Sequence, residues 1–314
     1  MATIQGVLGP IDTADLGFTL MHEHILIANW AMREGYRDYV DVRRVVNEAS
    51  AALAKARERG VRTIVDLTTI DSRDVFVIRE VAERSGVQIV APTGWYWHEE
   101  PWMEAWDHDT LARYLVRDIE QGIQGTGVRA GIIKCATDRP GVTPLNKKLL
   151  EVSARAHRRT GVPISTHTSA AHKVGLDQQA VFAAEGVDLS RVVIGHCGDT
   201  EDLGYLEEIL SKGSTIGMDR FGIDIILPTK NRVATIAELC KRGYAAQIVL
   251  SHDACSHIDW FPMEAIRKAA PKWNYLHVPE DVIPALRESG VPEAQVRQMT
   301  VENPRKLFER QGAY

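Results

Sequence analysis

The sequence of 314 residues has few cysteines and no long apolar run. Its four cysteines form no Cys-x-x-Cys pair and no Asn-x-Ser/Thr sequon accompanies them, which fits a reducing compartment and excludes a disulfide scaffold. No apolar run approaches the roughly 18 residues of a membrane span. Near the start, Asp12 and Asp15 stand where a signal peptide needs a basic start and an apolar stretch. A cytoplasmic location is therefore expected.

An excess of positive charge is also lacking. Lys and Arg number 37 against 42 Asp and Glu, a net charge of −5, so nucleic acid and membranes are not expected partners. The chain has no Pro/Gly/Ser-rich linker, no low-complexity tract and no repeat beyond its local periodicity. Its length allows one or two domains of roughly 150 residues. Without a linker, a single domain over residues 1–314 is the better prediction.

The chain does have a regular alternation of short apolar runs with longer amphipathic segments, which is typical of βαβ units. Eight strands are predicted: Phe18–His24, Val61–Thr68, Val87–Thr93, Val128–Ala136, Pro163–Thr168, Arg191–Gly198, Ser214–Arg220 and Gln247–Asp253. The first helix repeats apolar residues over Val42–Ala56, with Asp41 placed to cap its start and Gly60 after its end. Further helices are predicted over Ser72–Ser85, Asp109–Gln124, Pro144–Thr160, Leu176–Glu185, Thr200–Ser211, Arg232–Arg242, Pro279–Ser289 and Pro292–Arg310. This α/β alternation favours a (β/α)8 TIM barrel with C-terminal helices over a doubly wound sheet.

Polar residues stand where the predicted strands end. Residues two apart in a strand point to the same side, so His22 and His24 face the barrel interior together while Glu23 faces away. The carboxyl ends of barrel strands converge on one mouth, where active sites of this fold lie. The residues expected at that mouth are His24, Thr68, Tyr96, Lys134, His167, His196, Arg220 and Asp253.

Four histidines and a carboxylate are more ligands than one tetrahedral zinc takes, and they suit two divalent ions. The candidate ligands are His22, His24, His167, His196, Asp253 and Lys134. An ammonium beside two dications would be repelled, whereas a neutral lysine, which burial favours, can react with CO₂ to give a bridging carbamate. The alternative is that Lys134 pairs with a buried carboxylate. Zinc is the expected metal, and cobalt, manganese or iron are compatible with the same ligands.

These residues lie in stretches that resemble the phosphotriesterase-like lactonase family of the amidohydrolase superfamily, in order over nearly the whole chain. The stretches are Gly9-Pro10-Ile11-Asp12, Leu20-Met21-His22-Glu23-His24, Gly131-Ile132-Ile133-Lys134, Thr166-His167-Thr168, Ile194-Gly195-His196, Met218-Asp219-Arg220-Phe221-Gly222, Ser251-His252-Asp253 and Glu302-Asn303-Pro304. The resemblance implies a barrel, often a homodimer, that hydrolyses lactones, including the N-acyl-homoserine lactones of quorum sensing. It also implies a weaker activity on organophosphate triesters.

The resemblance further implies a role for each ligand. His22, His24 and Asp253 would hold the more buried metal, His167 and His196 the more exposed one, and Lys134, as N6-carboxylysine, would bridge them. A hydroxide shared by the two ions is the expected nucleophile. Asp253 is expected to take its proton and pass it to the leaving alkoxide.

Two further residues at the mouth are expected to contribute to catalysis. By resemblance, Tyr96 borders the metal pair and orients substrate, and Arg220 arranges the lactone subsite. Arg220 has an equally plain alternative, a buried ion pair with Asp219 or Asp224 that holds the loop.

The segment 254–278 is the longest connection from a strand to a helix, and connections of that length are usually functional. Its Trp260 and Phe261 are the expected substrate contacts. They are expected to line an apolar channel together with Trp95, Trp97, Trp102 and Trp106. Cys197 and Cys255 are expected to be buried thiols. The remaining loop and helix histidines are expected to be solvated: His98, His108, His157, His172, His257 and His277.

Three functions remain open from the sequence. The first is a two-metal lactonase with promiscuous triesterase activity. The second is an enzyme whose main substrate is a phosphotriester or another carboxylic ester, because hydroxide attack on carbon or phosphorus uses the same metal pair. The third is a metal-binding protein without turnover.

Overall fold

A computed structural model describes residues 2–139, 141–310 and 312–314. Its strands are β1 (Thr3–Gly6), β2 (Gly9–Asp12), β3 (Phe18–Ile27), β4 (Val61–Asp66), β5 (Gln88–Val90), β6 (Pro92–Thr93), β7 (Ile132–Ala136), β8 (Ile164–His167), β9 (Val192–Ile194), β10 (Thr215–Met218), β11 (Ile248–Leu250) and β12 (Cys255–Ile258). Its α-helices are α1 (Trp30–Gly35), α2 (Val42–Glu58), α3 (Val75–Ser85), α4 (Pro101–Ala105), α5 (His108–Glu120), α6 (Pro144–Thr160), α7 (Val174–Ala184), α8 (Leu203–Ser211), α9 (Thr229–Lys241), α10 (Met263–Ala269), α11 (Ile283–Glu288), α12 (Glu293–Arg297) and α13 (Asn303–Glu309).

The strands from β3 to β12 close into a parallel barrel. β3 pairs with β4 and β4 with β5, while pairing runs unbroken from β6 through β7, β8, β9 and β10 to β11. β5 and β6 are halves of one barrel strand interrupted at Ala91, and β11 and β12 are halves of another interrupted at 251–254. β12 pairs with β3 and completes the ring. The predicted (β/α)8 barrel is confirmed.

Three of the predicted strands end earlier than expected at their carboxyl ends, which face the mouth of the barrel. β9, β10 and β11 end at Ile194, Met218 and Leu250. Beyond β9 and β11, His196 and Asp253 adopt left-handed backbone angles, with φ of 59° and 57°. That conformation cannot continue a β ladder. The chain therefore leaves the sheet where the predicted ligands begin.

The helices follow the predicted pattern with shifted ends. Asp41 caps α2 as predicted, because its side chain accepts the backbone N–H of Arg44. The two closing segments are each interrupted by a π turn, at Val278–Val282 and Gln298–Glu302. The segment 254–278, expected to be a connection, holds β12, the second half of the eighth barrel strand, and α10. Among the helices described, none combines the length and apolar character that crossing a membrane requires.

An apolar plug fills the barrel interior beneath the mouth. Met21, Val65 and Val249 point inward from the strands, and Ile4 of β1 and Phe308 of α13 pack with them from below. A larger cluster of buried apolar residues lies between the strands and the outer helices. The polar residues of the mouth therefore rest on a dry, close-packed floor.

Candidate metal centre and substrate pocket

The six predicted ligands lie together at the mouth of the barrel. His22 Nε2 is 3.0 Å from Lys134 Nζ and 3.3 Å from Asp253 Oδ1. His24 Nε2 is 3.0 Å from the same aspartate oxygen. The atoms that His22, His24 and Asp253 offer all lie within 4.8 Å of one another. This spacing is what a shared metal ion requires of its ligands.

The two histidines of the other half of the site also face each other. His167 Nδ1 lies 2.8 Å from His196 Nε2, and His196 Nε2 lies 3.9 Å from Asp253 Oδ2. Asp253 thus has one oxygen toward each half of the site.

Asp219, a residue that the sequence did not single out for this role, orients two of the histidines. Its Oδ2 is 3.0 Å from His22 Nδ1 and its Oδ1 is 3.0 Å from His196 Nδ1. A carboxylate on Nδ1 fixes the proton there and leaves the Nε2 lone pair free for a metal. Asp219 lies near enough to His22 and His196 to share a metal ion with them. However, its oxygens contact the Nδ1 atoms of the two rings, whereas the Nε2 atoms face the site.

The other two histidines have orienting partners as well. Thr68 Oγ1 lies 2.9 Å from His24 Nδ1. His167 is oriented the opposite way, with its Nε2 3.1 Å from Asp138 Oδ2, so Nδ1 faces the site. The sequence placed Thr68 at the mouth without a role, whereas Asp138, in the loop after β7, was not singled out.

The charge states of the site suit metal binding. Burial lowers the pKa of His22 and of His167 to about 4, and it lowers the pKa of His196 further below its ordinary value. Burial alone would raise the pKa of Asp253, but the neighbouring His196, His22 and Arg220 hold that pKa well below its usual range. Neutral imidazoles and an ionised carboxylate are the forms that bind metal. The donor set therefore fits divalent ions.

Lys134 is a fully buried lysine at the centre of the cluster, with 1% of its surface exposed. Burial lowers its pKa to about 8. Its Nζ is 3.0 Å from a histidine nitrogen, His22 Nε2, and no carboxylate among the described residues forms a salt bridge with it. The backbone after β6 lies close to that of Lys134 in β7, because Gly94 has no side chain there. A Cβ at Gly94 would lie 1.9 Å from the Lys134 carbonyl oxygen. A pKa of about 8 leaves part of the amine neutral near neutral pH, and the neutral amine is the form that can react with CO₂.

Arg220 has other partners than the two that the sequence suggested. Its Nε donates to Asp253 Oδ2 at 2.9 Å, and Nη1 donates to Asp199 Oδ2 at 2.9 Å. The proposed pairing with Asp219 or Asp224 is wrong, because Asp219 binds the histidines and Asp224 accepts from Thr229. Arg220 therefore faces the mouth.

Tyr96 borders the site. Its hydroxyl lies 3.2 Å from His167 Nδ1, and its ring packs against Trp260 at a centroid distance of 5.6 Å. Burial raises the pKa of Tyr96 above its ordinary value. The hydroxyl therefore stays protonated at neutral pH and can donate a hydrogen bond.

A cavity of about 350 Å³ opens onto the cluster. Trp260 and Phe261 line it and are each about half exposed. The expected contribution of Trp95, Trp97, Trp102 and Trp106 is wrong, since none of them is among the described residues that line the cavity. Ile27 of β3 and Leu67, directly after β4, also line it. The rest of its large apolar lining comes from the connection after the seventh barrel strand and from β12 and the segment after it: Ile223, Ile225, Ile226, Ile258, Ile266 and Trp273. Ile225 and Ile226 are exposed. The signal that the sequence offered was the short apolar run Ile225-Ile226-Leu227 in the connection after the seventh barrel strand.

Two of the histidines expected to be solvated are buried. His157 Nδ1 lies 2.7 Å from the carbonyl oxygen of Val162, and its Nε2 lies 2.6 Å from the hydroxyl of Tyr314. His277 Nδ1 is 2.6 Å from Asp281. Each makes a helix or terminus contact that its sequence position does not reveal. Cys197 is a buried thiol, while Cys255 is half-buried and borders the cavity.

Comparison with known proteins identifies the chain's relatives. A model of the phosphotriesterase family matches residues 2–308. The chain belongs to the phosphotriesterase family. As a member of this family it is a metal-dependent hydrolase of ester bonds.

Individual relatives cover the whole chain. It is 49% identical to the phosphotriesterase homology protein of Mycobacterium tuberculosis, over 100% of both chains. It is 39% identical to an aryldialkylphosphatase of Saccharolobus solfataricus, over 95% of this chain and 96% of the relative. The solved structure of the phosphotriesterase from Mycobacterium tuberculosis superposes with a TM-score of 0.95 over 99% of this chain and 100% of the other. Among phosphotriesterase-family proteins, these share its length and its fold.

Proposed function

We propose that the chain is a two-metal lactonase that opens γ- and δ-lactones, N-acyl-homoserine lactones among them, with a weaker activity on organophosphate triesters. The observation that carries the proposal is the position of the six-residue cluster at the base of an apolar cavity. Four imidazoles, a carboxylate and a buried lysine exceed what one tetrahedral ion takes.

The proposed ligand sets follow the two halves of the cluster. His22, His24 and Asp253 would hold one ion, His167 and His196 would hold the other, and Lys134, as a carbamate, would contribute to both. Zinc is the expected metal, with cobalt, manganese and iron as alternatives. When bound, two such ions lower the pKa of a coordinated water toward neutrality and polarise the oxygen of a carbonyl or phosphoryl group.

The protein's own side chains supply the remaining chemistry. Asp253 is an ionised carboxylate with an oxygen toward each half of the site, so it accepts the nucleophile's proton and returns it to the leaving alkoxide. Arg220 holds this carboxylate by a 2.9 Å bond. Tyr96 stays protonated and donates to the substrate. The half-buried loop residues Trp260 and Phe261 contact its apolar part.

The shape of the pocket favours lactones that carry an acyl chain. A cavity of this volume, lined by tryptophan, phenylalanine and isoleucine side chains, binds hydrocarbon better than it binds a compact polar ester. A phosphotriester as the main substrate is the second candidate, and the printed name of the aryldialkylphosphatase relative supports it. The metal-binding protein without turnover is set aside, because the chain belongs to a family of hydrolases.

The deciding experiment compares kcat/KM for an N-acyl-homoserine lactone and for paraoxon on metal-replete protein. The proposal expects the lactone to be the better substrate. Asp253→Asn is the matched control, since it keeps the side-chain shape and is expected to lower both activities by about 10²-fold or more. Efficient triester hydrolysis without lactone opening would reverse the ranking of the two candidates.

A homodimer is part of the same proposal. Met32 of α1, Tyr36 directly after it and Phe76 of α3 are exposed, largely apolar side chains. An ion pair joins Arg33 of α1 to Asp74, the N-cap residue of α3. Clustered apolar surface of this kind marks interfaces. Light scattering after gel filtration should give the mass of two chains, and Phe76→Glu should give the mass of one.

A further inference from the structure

Asp253 sits in a backbone conformation that few residues adopt. Its φ is 57°, in the left-handed region, which residues other than glycine adopt rarely, although aspartate and asparagine do so more often than the rest. Such conformations persist where neighbouring bonds hold them, and they gather at functional sites. The bonds that hold Asp253 therefore bear on its function.

Glu23 supplies those bonds from the outer face of β3. One carboxylate oxygen, Oε2, accepts the N–H of Ala254 at 2.9 Å. The other, Oε1, accepts the N–H of His252 at 3.1 Å. These are the two residues on either side of Asp253. Glu23 has no exposed surface, so water cannot replace it as the acceptor.

Two further donors complete the carboxylate's partners. The hydroxyl of Ser251 and the Nδ1 of His252 lie 2.7 Å and 2.6 Å from Glu23 Oε1. His252 Nε2 accepts the N–H of Val278 at 2.7 Å, so its proton is on Nδ1 and the ring donates to Glu23. All four contacts are thus donors to one buried carboxylate, which is the arrangement that stabilises its charge.

The same hydrogen-bond network also contacts β3, the strand that carries His22 and His24. The Ser251 hydroxyl oxygen also accepts the backbone N–H of His22 at 2.9 Å. His22 and His24 point to the inner face of β3, toward the site. Glu23, between them, points to the outer face and binds the backbone on both sides of Asp253. The alternation of a strand makes both contacts possible at once.

We propose that Glu23 is a positioning residue that holds the Asp253 segment in its left-handed conformation and aims the Asp253 carboxylate at the site. The proposal rests on the role proposed above for Asp253. It assigns to the middle residue of the His22-Glu23-His24 stretch a task distinct from metal binding.

The test uses Glu23→Gln in the full chain. A glutamine keeps the size of the side chain but replaces one acceptor oxygen with an NH₂ group, so it cannot accept from both neighbours of Asp253. Hydrogen–deuterium exchange of peptides covering 251–256, measured by mass spectrometry, should become at least tenfold faster. In the metal-replete enzyme, kcat should fall at least tenfold while KM stays within about twofold.

The matched control is Asn303→Ala. Asn303 is buried and donates to the carbonyl oxygens of Ala245 and Ile248, at the opposite end of the same barrel strand. This variant should lose thermal stability while keeping kcat and the exchange rate of 251–256. Because exchange is measured independently of any substrate, it tests the proposal even if the enzyme's substrate is not a lactone.

The contradicting results are equally specific. A wild-type exchange rate at 251–256 in Glu23→Gln, or faster exchange spread evenly over the whole chain in that variant, overturns the proposal. So does a wild-type kcat. If Glu23→Gln does not fold, Glu23→Asp is measured against the same criteria. Aspartate keeps the negative charge, but its side chain is one methylene shorter.

Discussion

Arg220 donates its Nε hydrogen to Oδ2 of Asp253 at 2.9 Å, while Oδ1 of the same carboxylate lies 3.0 Å from His24 Nε2. The two oxygens of Asp253 are therefore held by different partners. Asp199 receives the other end of the Arg220 guanidinium and is itself paired with the fully buried Arg232. A chain of alternating charges thus anchors the carboxylate to which we assign proton transfer.

Arg220→Lys should lower kcat by roughly tenfold, equivalent to about 1.4 kcal/mol. A lysine cannot donate to Asp253 and Asp199 at once with the fixed geometry of a guanidinium. Steady-state kinetics with a lactone substrate measure the change. Arg242→Lys, at an exposed pair with Glu238, is the control and should behave as wild type. Equal kcat values for wild type and Arg220→Lys would remove Arg220 from the mechanism.

Carboxylation of Lys134 predicts that bicarbonate accelerates metal reconstitution. The pKa of Lys134 is lowered to about 8 by burial, so a substantial neutral fraction is available to react with CO₂ near that pH. Recovery of activity in metal-free wild type should speed up with added bicarbonate at constant pH. Lys134→Met should bind fewer metal ions and show no bicarbonate effect. A recovery rate in wild type that ignores bicarbonate would argue for an unmodified lysine.

We expect the buried side chain of His157 to make the free energy of unfolding fall in mild acid. Burial lowers its pKa, so below about pH 6.5 the unfolded chain takes up a proton that the folded chain refuses. Its contribution to the free energy of unfolding is therefore present above that pH and lost as the pH falls, by at most about 1.4 kcal/mol per pH unit. Urea unfolding of wild type and His157→Gln measures the difference. Parallel pH curves for the two proteins would contradict the account.

If Trp260 contacts the substrate, we expect KM to depend on the length of its acyl chain. Each methylene buried against the cavity wall contributes up to about 0.8 kcal/mol, so KM should fall with chain length until the cavity is filled. Trp260→Ala should raise KM for long-chain lactones by several-fold more than for γ-butyrolactone. If the substitution raises KM equally for both substrates, Trp260 does not contact the chain.

The fold, and the clustering of the candidate ligands at one end of the barrel, could be predicted because they depend on local periodicity. His22 and His24 share a strand face for the same reason that any residues two apart do, and strand ends in a barrel share one mouth. The sequence was informative wherever one residue type stood at a repeated structural position.

The partners of those ligands could not be predicted, because they depend on how loops return over the mouth. Asp219 follows the seventh strand and binds histidines of the first and sixth. The alternative considered for Arg220 paired it with a neighbour in sequence, but its partners Asp199 and Asp253 are 21 and 33 residues away. Likewise, Ile225 and Ile226 line the cavity only because their loop folds across it. Contacts of this kind are set by tertiary packing.

Metal titration of the metal-free protein tests the central claim most directly. Lactone hydrolysis is followed as zinc or cobalt is added, with bound metal measured by mass spectrometry. The account predicts that activity rises from near zero and reaches its plateau at two ions per chain, since the ligands form two halves around Asp253. A plateau at one ion per chain, or full activity without added metal, would contradict it.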